Sequence, residues 1–200
     1  MICIASFTDA VTMNSTFYVD DDNTEGPWDG SIEHPFQNIQ DAIDVSSCDD
    51  VIIVFSGTYC ETLIIDTSIT LQGSDSTIID GMQQNTTITV LADNCIIQGC
   101  TVTNCSPAIL EFDYSLMLVQ SDNNTIQNNL LSLDGTNGFY SIAALQIQEA
   151  KDNRIISNEF ITRDNVSRNH AIHLTGGCER TTVEQNKIYG YDVALSLIHI

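Results

Sequence analysis

The sequence predicts an all-β solenoid closed at its N-terminal end by a short strand and helix, and three observations predict it. One phrase recurs with changed words: "NNTIQNNLLSL" from 123, "DNRIISNEFIT" from 152, "RTTVEQNKIYG" from 180 and a looser "DNCIIQGCTVT" from 93. Its apolar centres, Ile97, Ile126, Ile155 and Val183, follow one another at steps of 29, 29 and 28 residues. A second apolar track precedes each phrase: "TITVLA" from 87, "SLMLVQ" from 115, "ALQIQE" from 144 and "AIHLTG" from 171. Each track alternates apolar and polar residues over a few positions, which is strand periodicity and too short for a helix. A fixed period with turns rich in Asn, Asp and Gly makes each repeat one coil, stacked on the last.

Three segments are expected: a poorly defined stretch over residues 1–16, a cap over 17–50, and coils over 51–200, with the native chain continuing past Ile200. The cap opens with "YVDDDNTEGPWDGS" at Tyr18 to Ser31, where Asp20, Asp21, Asp22, Glu25 and Asp29 have no basic neighbour. Asp21, Asn23, Glu25 and Gly26 imitate the first half of a calcium loop. The glutamate such a loop needs at its twelfth place is missing, for that place is Ile32. Asp20, Asp21, Asp22, Asn23, Glu25 and Asp29 are therefore candidate Ca2+ ligands, against the competing reading of an acidic turn leading into the cap.

From Pro35 to Ser46, the apolar residues Phe36, Ile39, Ala42 and Ile43 fall at helical spacing, with Pro35 expected in the first turn. Three strand-like runs follow, "VIIVFSGTYCETLIID", "SITLQGS" and "STIIDG". A helix placed before stacked strands reads as a lid, which a solenoid needs because its open end exposes unpaired backbone and apolar core.

In the repeats, residues one period apart become vertical neighbours. Asn129, Asn158 and Asn186 then fill one column, in which side-chain amides can bond along the axis as a ladder, with Cys100 at the matching earlier place. Val102, Leu131, Phe160 and Ile188 form an inward column. Lys151 falls between Asp122 and Glu179, Arg180 beside Asp152, and Lys187 beside Glu159. Exposed pairs contribute little stability, but they oppose a slipped register.

The run "HPFQNIQDAID", then "VIIVFSGTYCETLIIDTSITLQGS" and "TIIDG", closely resembles the opening of right-handed parallel β-helix proteins of the pectin lyase-like superfamily. The units "NNTIQNNLL" and "NKIYGYDVALSL" resemble the repeats of periplasmic and surface β-helix proteins, including one associated with copper-enzyme maturation. The resemblance covers roughly residues 17 to 198 and implies a right-handed parallel β-helix. It implies no single activity, since this scaffold carries lyases, hydrolases, esterases, epimerases, adhesins and structural proteins.

The enzyme motifs of that superfamily are not matched. The paired aspartates and arginine of pectin methylesterases have no counterpart, and "QDAID" at Gln40 falls on the cap helix. The "NTD", "GHG" and "RIK" elements of polygalacturonases do not occur. "YGYD" at Tyr189 resembles the opening of an alginate epimerase motif but lacks the Pro-His that should follow. His170, His173 and Cys178 can be drawn as a metal cluster, yet the odd spacing of the two histidines is expected to send them to opposite faces of a strand.

Composition narrows the function further. The net charge is −21, and all six basic residues lie beyond residue 150. Such a surface repels phosphate backbones and anionic membranes, which argues against a nucleic-acid partner. No apolar run is long enough for a transmembrane helix. The seven cysteines show no zinc-type spacing, and they read as small buried hydrophobes. Five N-x-S/T sequons begin at Asn14, Asn85, Asn104, Asn123 and Asn165, a number that this Asn- and Thr-rich composition produces largely by chance. The expectation is a monomeric, non-catalytic β-helix of the extracellular space, cell surface or periplasm, offering a rigid surface to a polysaccharide, glycan or other partner and requiring no cofactor beyond the candidate Ca2+. Two alternatives stay open: a polysaccharide-active enzyme whose catalytic coils lie outside this chain, and a periplasmic helper of metal-enzyme maturation.

Overall fold

The computed structural model describes residues 14–105, 115–133, 142–162 and 169–198. Cys3, Arg163, Arg168 and the Asn165 sequon lie outside the described residues. Strand β1 (Thr16–Val19) comes first and helix α1 (Ile39–Val45) second. Six coils follow. Coil 1 holds β2 (Asp50–Val54), β3 (Gly57–Cys60) and β4 (Leu63–Ile65), coil 2 holds β5 (Ile69–Asp80) and β6 (Ile88–Val90), and coil 3 holds β7 (Ile96–Thr103) and β8 (Ser115–Val119). Coil 4 has β9 (Thr125–Gln127), β10 (Leu130–Leu133) and β11 (Ala143–Gln148). Coil 5 has β12 (Arg154–Ile156), β13 (Glu159–Thr162) and β14 (His170–Thr175), and coil 6 has β15 (Thr182–Glu184), β16 (Lys187–Tyr189) and β17 (Val193–Ile198).

Every strand pairs in parallel with its counterpart one coil away, giving an 11-stranded sheet and a 6-stranded sheet. Alternation in each strand sends one set of residues inward, and the register stacks them into columns. Ile52, Leu71, Ile97, Ile126, Ile155 and Val183 make the first column, and Tyr59, Ile79, Val102, Leu131, Phe160 and Ile188 the second. Leu63, Ile88, Met117, Leu145, Ile172 and Leu195 line the smaller sheet. Most of these side chains are fully buried, each contributing about 1.5–3 kcal/mol.

The wide sheet bends where β5 and β7 run on as single strands and where later coils break into two. From β7 onward, each bend is a left-handed residue followed by an inward one. Gly99, Asn128, Ser157 and Gln185 have φ of 73°, 54°, 56° and 57°, and they precede Cys100, Asn129, Asn158 and Asn186. Asparagine and glycine tolerate this conformation best. A second bend, which brings the chain onto β9, β12 and β15, repeats the device. There Asn94, Asn123, Asp152 and Arg180 have φ of 63°, 59°, 57° and 54°, and they precede Cys95, Asn124, Asn153 and Thr181.

The cap departs from the sequence expectation in one respect. Pro35 is not in the first helical turn, because α1 starts at Ile39 behind an extended Asn38. The residues between are claimed by strand-like bonding to β1, in which Phe36 N donates to Tyr18 O at 2.9 Å and Asp20 N donates to Phe36 O at 2.8 Å. Ile39, Ala42 and Ile43 are buried over the end of the stack. The helix lacks a side-chain cap of its own, and the carboxylate of Glu61 in coil 1 supplies one, accepting from Ile39 N at 2.8 Å and Gln40 N at 3.0 Å. Burial raises the Glu61 pKa despite these two donors.

Candidate functional site

The acidic turn does not gather its side chains around one point. Asp20 Oδ1 accepts from Asp22 N at 3.1 Å, and Asp21 Oδ2 accepts from Thr58 N at 3.0 Å. Gly57 is required there, since a Cβ would run into the Asp21 carboxylate. Asn23 Nδ2 donates to Pro35 O at 2.6 Å, while Asn23 O accepts from Trp28 Nε1 at 2.7 Å. Ser31, through its hydroxyl and then its backbone N–H, holds the Asp29 carboxyl below the usual range. Asp22 and Glu25 are exposed. Among the described residues, no three His, Cys, Asp or Glu side chains form a group suited to a metal ion.

The histidines require a correction. Their rings lie 5.5 Å apart, edge to face, and not on opposite sides of the strand. Both residues belong to β14, and His170 is its first residue, where alternation constrains the side chain least. His173 is 2% exposed and is in register with Gln146 on β11. Burial, and then the charge of His170, lowers its pKa.

The inward corners carry amides. Asn129 Oδ1 accepts from Cys100 N at 3.0 Å, and Asn129 Nδ2 donates to Ile97 O at 2.9 Å. Asn158 repeats the pair on Asn129 N and Ile126 O, and Asn186 repeats it on Asn158 N and Ile155 O. Asn129 Nδ2 also lies 3.2 Å from Asn158 Oδ1, and Asn158 Nδ2 lies 3.1 Å from Asn186 Oδ1. Each amide therefore serves two backbone groups of the coil before it, groups that the bend removes from the sheet ladder. Sequence reasoning missed a parallel set. Asn124 Oδ1 accepts from Cys95 N at 2.8 Å, and Asn153 Oδ1 accepts from Asn124 N at 2.9 Å. The same 29-residue step would have found it.

On the outside of these corners lies a charged column. Lys151 N donates to Asp122 Oδ1 at 2.8 Å, and its ammonium lies 3.4 Å from Glu179. Arg180 grips both oxygens of Asp152 at 2.6 Å, which lowers the Asp152 pKa. Glu159 and Lys187 are register partners.

The outer face of the wide sheet differs in character. Across coils 2 to 4 its rows read Thr70, Ile96, Thr125, then Gln72, Gln98, Gln127, then Ile78, Thr101, Leu130, and last Asp80, Thr103, Ser132. The glutamine amides join along the axis, Gln98 Nε2 to Gln72 Oε1 at 3.1 Å and Gln127 Nε2 to Gln98 Oε1 at 2.7 Å. The one carboxylate in these rows, Asp80, is occupied by Asn104 Nδ2 at 2.8 Å and Met82 N at 2.7 Å. On a chain of net charge −21, this is, Asp80 apart, an uncharged strip of hydrogen-bonding groups held at the spacing of the strands.

Six stacked coils, parallel pairing throughout and amide corners define a parallel β-helix. A family model described as a right-handed β-helix region matches residues 17–190, and the chain belongs to that family. The chain is similar to a cell surface glycoprotein of Methanothermus fervidus, 35% identical over 100 residues, which is 48% of this chain and 16% of the relative. It thus matches only a small part of that relative's length. Among solved structures, a rhamnogalacturonan lyase superposes with a TM-score of 0.51 at 13% identity over 90% of this chain and 63% of the other. A pectin methylesterase in complex with a hexasaccharide gives 0.49 at 14% identity over 90% and 82%. The likeness to the lyase shows the fold. Among the described residues, no helix is long and apolar enough to cross a membrane.

Proposed function

We propose that the protein is a non-catalytic β-helix of the cell surface whose wide outer face holds an uncharged glycan strand. The glutamine row Gln72, Gln98 and Gln127, flanked by Thr70, Thr125, Thr101 and Thr103, carries the reading. Amides and hydroxyls both donate and accept, as sugar hydroxyls do. The row's internal bonds fix the side chains before a ligand arrives, which reduces the ordering cost of binding. Net charge argues for a neutral ligand, because the surrounding acidity repels uronate and phosphate polymers. The relative named as a cell surface glycoprotein supports the location. Acid–base chemistry on a uronate would need a positive group beside the base, and these rows offer none.

Calorimetric titration with a neutral gluco-oligosaccharide, beside an oligogalacturonate control, tests the reading. The neutral sugar is expected to bind and the anionic one to give no heat, with Gln98→Ala weakening the neutral sugar about tenfold for about 1.4 kcal/mol of lost bonding. Preference for the oligogalacturonate, or consumption of either sugar, would overturn it.

A further inference from the structure

Of the four sequon asparagines within the described residues, three have the folded chain against them. At Asn85 the asparagine is exposed, but Thr87, whose hydroxyl completes the signal, is 0% exposed and donates to Thr103 O at 3.2 Å. Asn104 has committed its amide to Asp80 at 2.8 Å, and Cys105 beside it is fully buried. Asn123 donates its amide to Asn94, and Asn124 is locked in the corner column. At the fourth sequon, Asn14, Ser15 and Thr16 are all exposed. Thr16 opens β1 in an extended conformation, and among the described residues neither the Asn14 amide nor the Thr16 hydroxyl is engaged. The backbone beside them is firmly placed, with Ser15 N on Asp50 Oδ1 at 2.6 Å and Val51 N on Ser15 O at 2.9 Å.

We infer that, among the sequons of the described residues, Asn14 is the N-glycan acceptor of the folded protein. The donor is an oligosaccharide carried on a lipid diphosphate. Asn14 Nδ2 forms a bond to C1 of the first sugar as the bond from C1 to the phosphate oxygen breaks, the lipid diphosphate leaves, and the amide gives up one proton to solvent. The position gives the modification a physical consequence. Strand β1 ends the 11-stranded sheet, and among the described residues its outer edge is paired only from Tyr18 onward, through Tyr18 N to Gly30 O and Phe36 N to Tyr18 O. A glycan at Asn14 stands over the open beginning of that edge and bars another chain from adding a strand.

This inference rests on the surface reading for its donor, but its test does not. Purified, folded protein is incubated with an oligosaccharyltransferase and a lipid diphosphate-linked oligosaccharide, and its peptides are weighed by mass spectrometry. The expected result is a glycan on the peptide containing Asn14, lost in both Asn14→Gln and Thr16→Val, with Asn85, Asn104 and Asn123 modified only after unfolding. Transfer to Asn104 or Asn123 in the folded protein at the rate seen for Asn14 overturns the inference. So does an unmodified Asn14 when a free peptide of the same sequence accepts the sugar. A wrong surface assignment would instead appear as protein without glycan from its native source, with transfer in vitro intact.

Discussion

Coil 3 and coils 4 and 5 turn the same two corners with different chemistry. In coils 4 and 5 the inward residues are Asn124, Asn129, Asn153 and Asn158; in coil 3 they are Cys95 and Cys100. The thiols take the amide's place in the pattern, one coil before Asn124 and Asn129, which receive the N–H of Cys95 and Cys100. They bond weakly, with Cys95 Sγ 3.3 Å from Ala92 O and Cys100 Sγ 3.5 Å from Gln98 O. Burial pushes the Cys100 thiol up to about 12, so it stays neutral. The bend therefore needs a small side chain that can sit inside, and asparagine adds directed bonds to two backbone groups at once. A corner can close without an amide, but it is held less firmly.

The largest effects should come from testing that difference. Asn158→Ala strands Asn129 N and Ile126 O inside the stack and is expected to cost about 2–4 kcal/mol in urea unfolding. Cys100→Ala, at the same place two coils earlier, is expected to cost about 1 kcal/mol. Equal losses would mean that the amide bonds contribute nothing beyond filling the corner.

A smaller effect belongs to the cap. Glu61→Ala removes the acceptor for two helix N–H groups and should cost about 1–2 kcal/mol, whereas Glu61→Gln keeps one acceptor oxygen and should cost less than half of that. Equal costs for the two variants would show that the carboxylate charge, and not the acceptor, holds the helix.

The buried pair of Gln146 and His173 in coils 4 and 5 sharpens the comparison by pH. Gln146 in coil 4 meets His173 in coil 5, and the folded His173 has a pKa below its unfolded value of 6.5. Between those two values the unfolded chain binds more protons, so stability is complete above about pH 6.5 and falls as the pH drops toward the folded value. His173→Gln should flatten the decline of the melting temperature between about pH 7.5 and pH 5. An unchanged slope would assign the acid sensitivity elsewhere. Smallest of all, Ca2+ is expected to move the melting temperature by under about 1 °C, because the bonded carboxylates of the acidic turn face separate partners. A rise of several degrees would mean that those carboxylates close round the ion.

What could be read in the sequence was what repeats. The column of Ile97, Ile126, Ile155 and Val183 and the charge pair of Asp152 with Arg180 follow from the period, because stacking turns sequence steps into contacts. The amides at Asn124 and Asn153 share that period, but Cys95 before them and Thr181 after them disguise the column. Asp50 and Glu61 were out of reach for another reason. Their partners, Ser15 N and Ile39 N, lie 35 and 22 residues away in the one part of the chain that does not repeat. The glutamine row was hidden because Ile156 and Glu184 replace its next two members. The histidine contact depends on a strand end that spacing alone does not describe.

The central claim is that the uncharged outer strip is where the ligand sits, and hydrogen exchange read by mass spectrometry tests it most directly. With a neutral gluco-oligosaccharide present, slowed exchange is predicted in peptides spanning Thr70 to Gln72, Ile96 to Gln98 and Thr125 to Gln127, with β16 and β17 unchanged. Protection confined to the Trp28 turn or to β17, or no protection at saturating sugar, would contradict it.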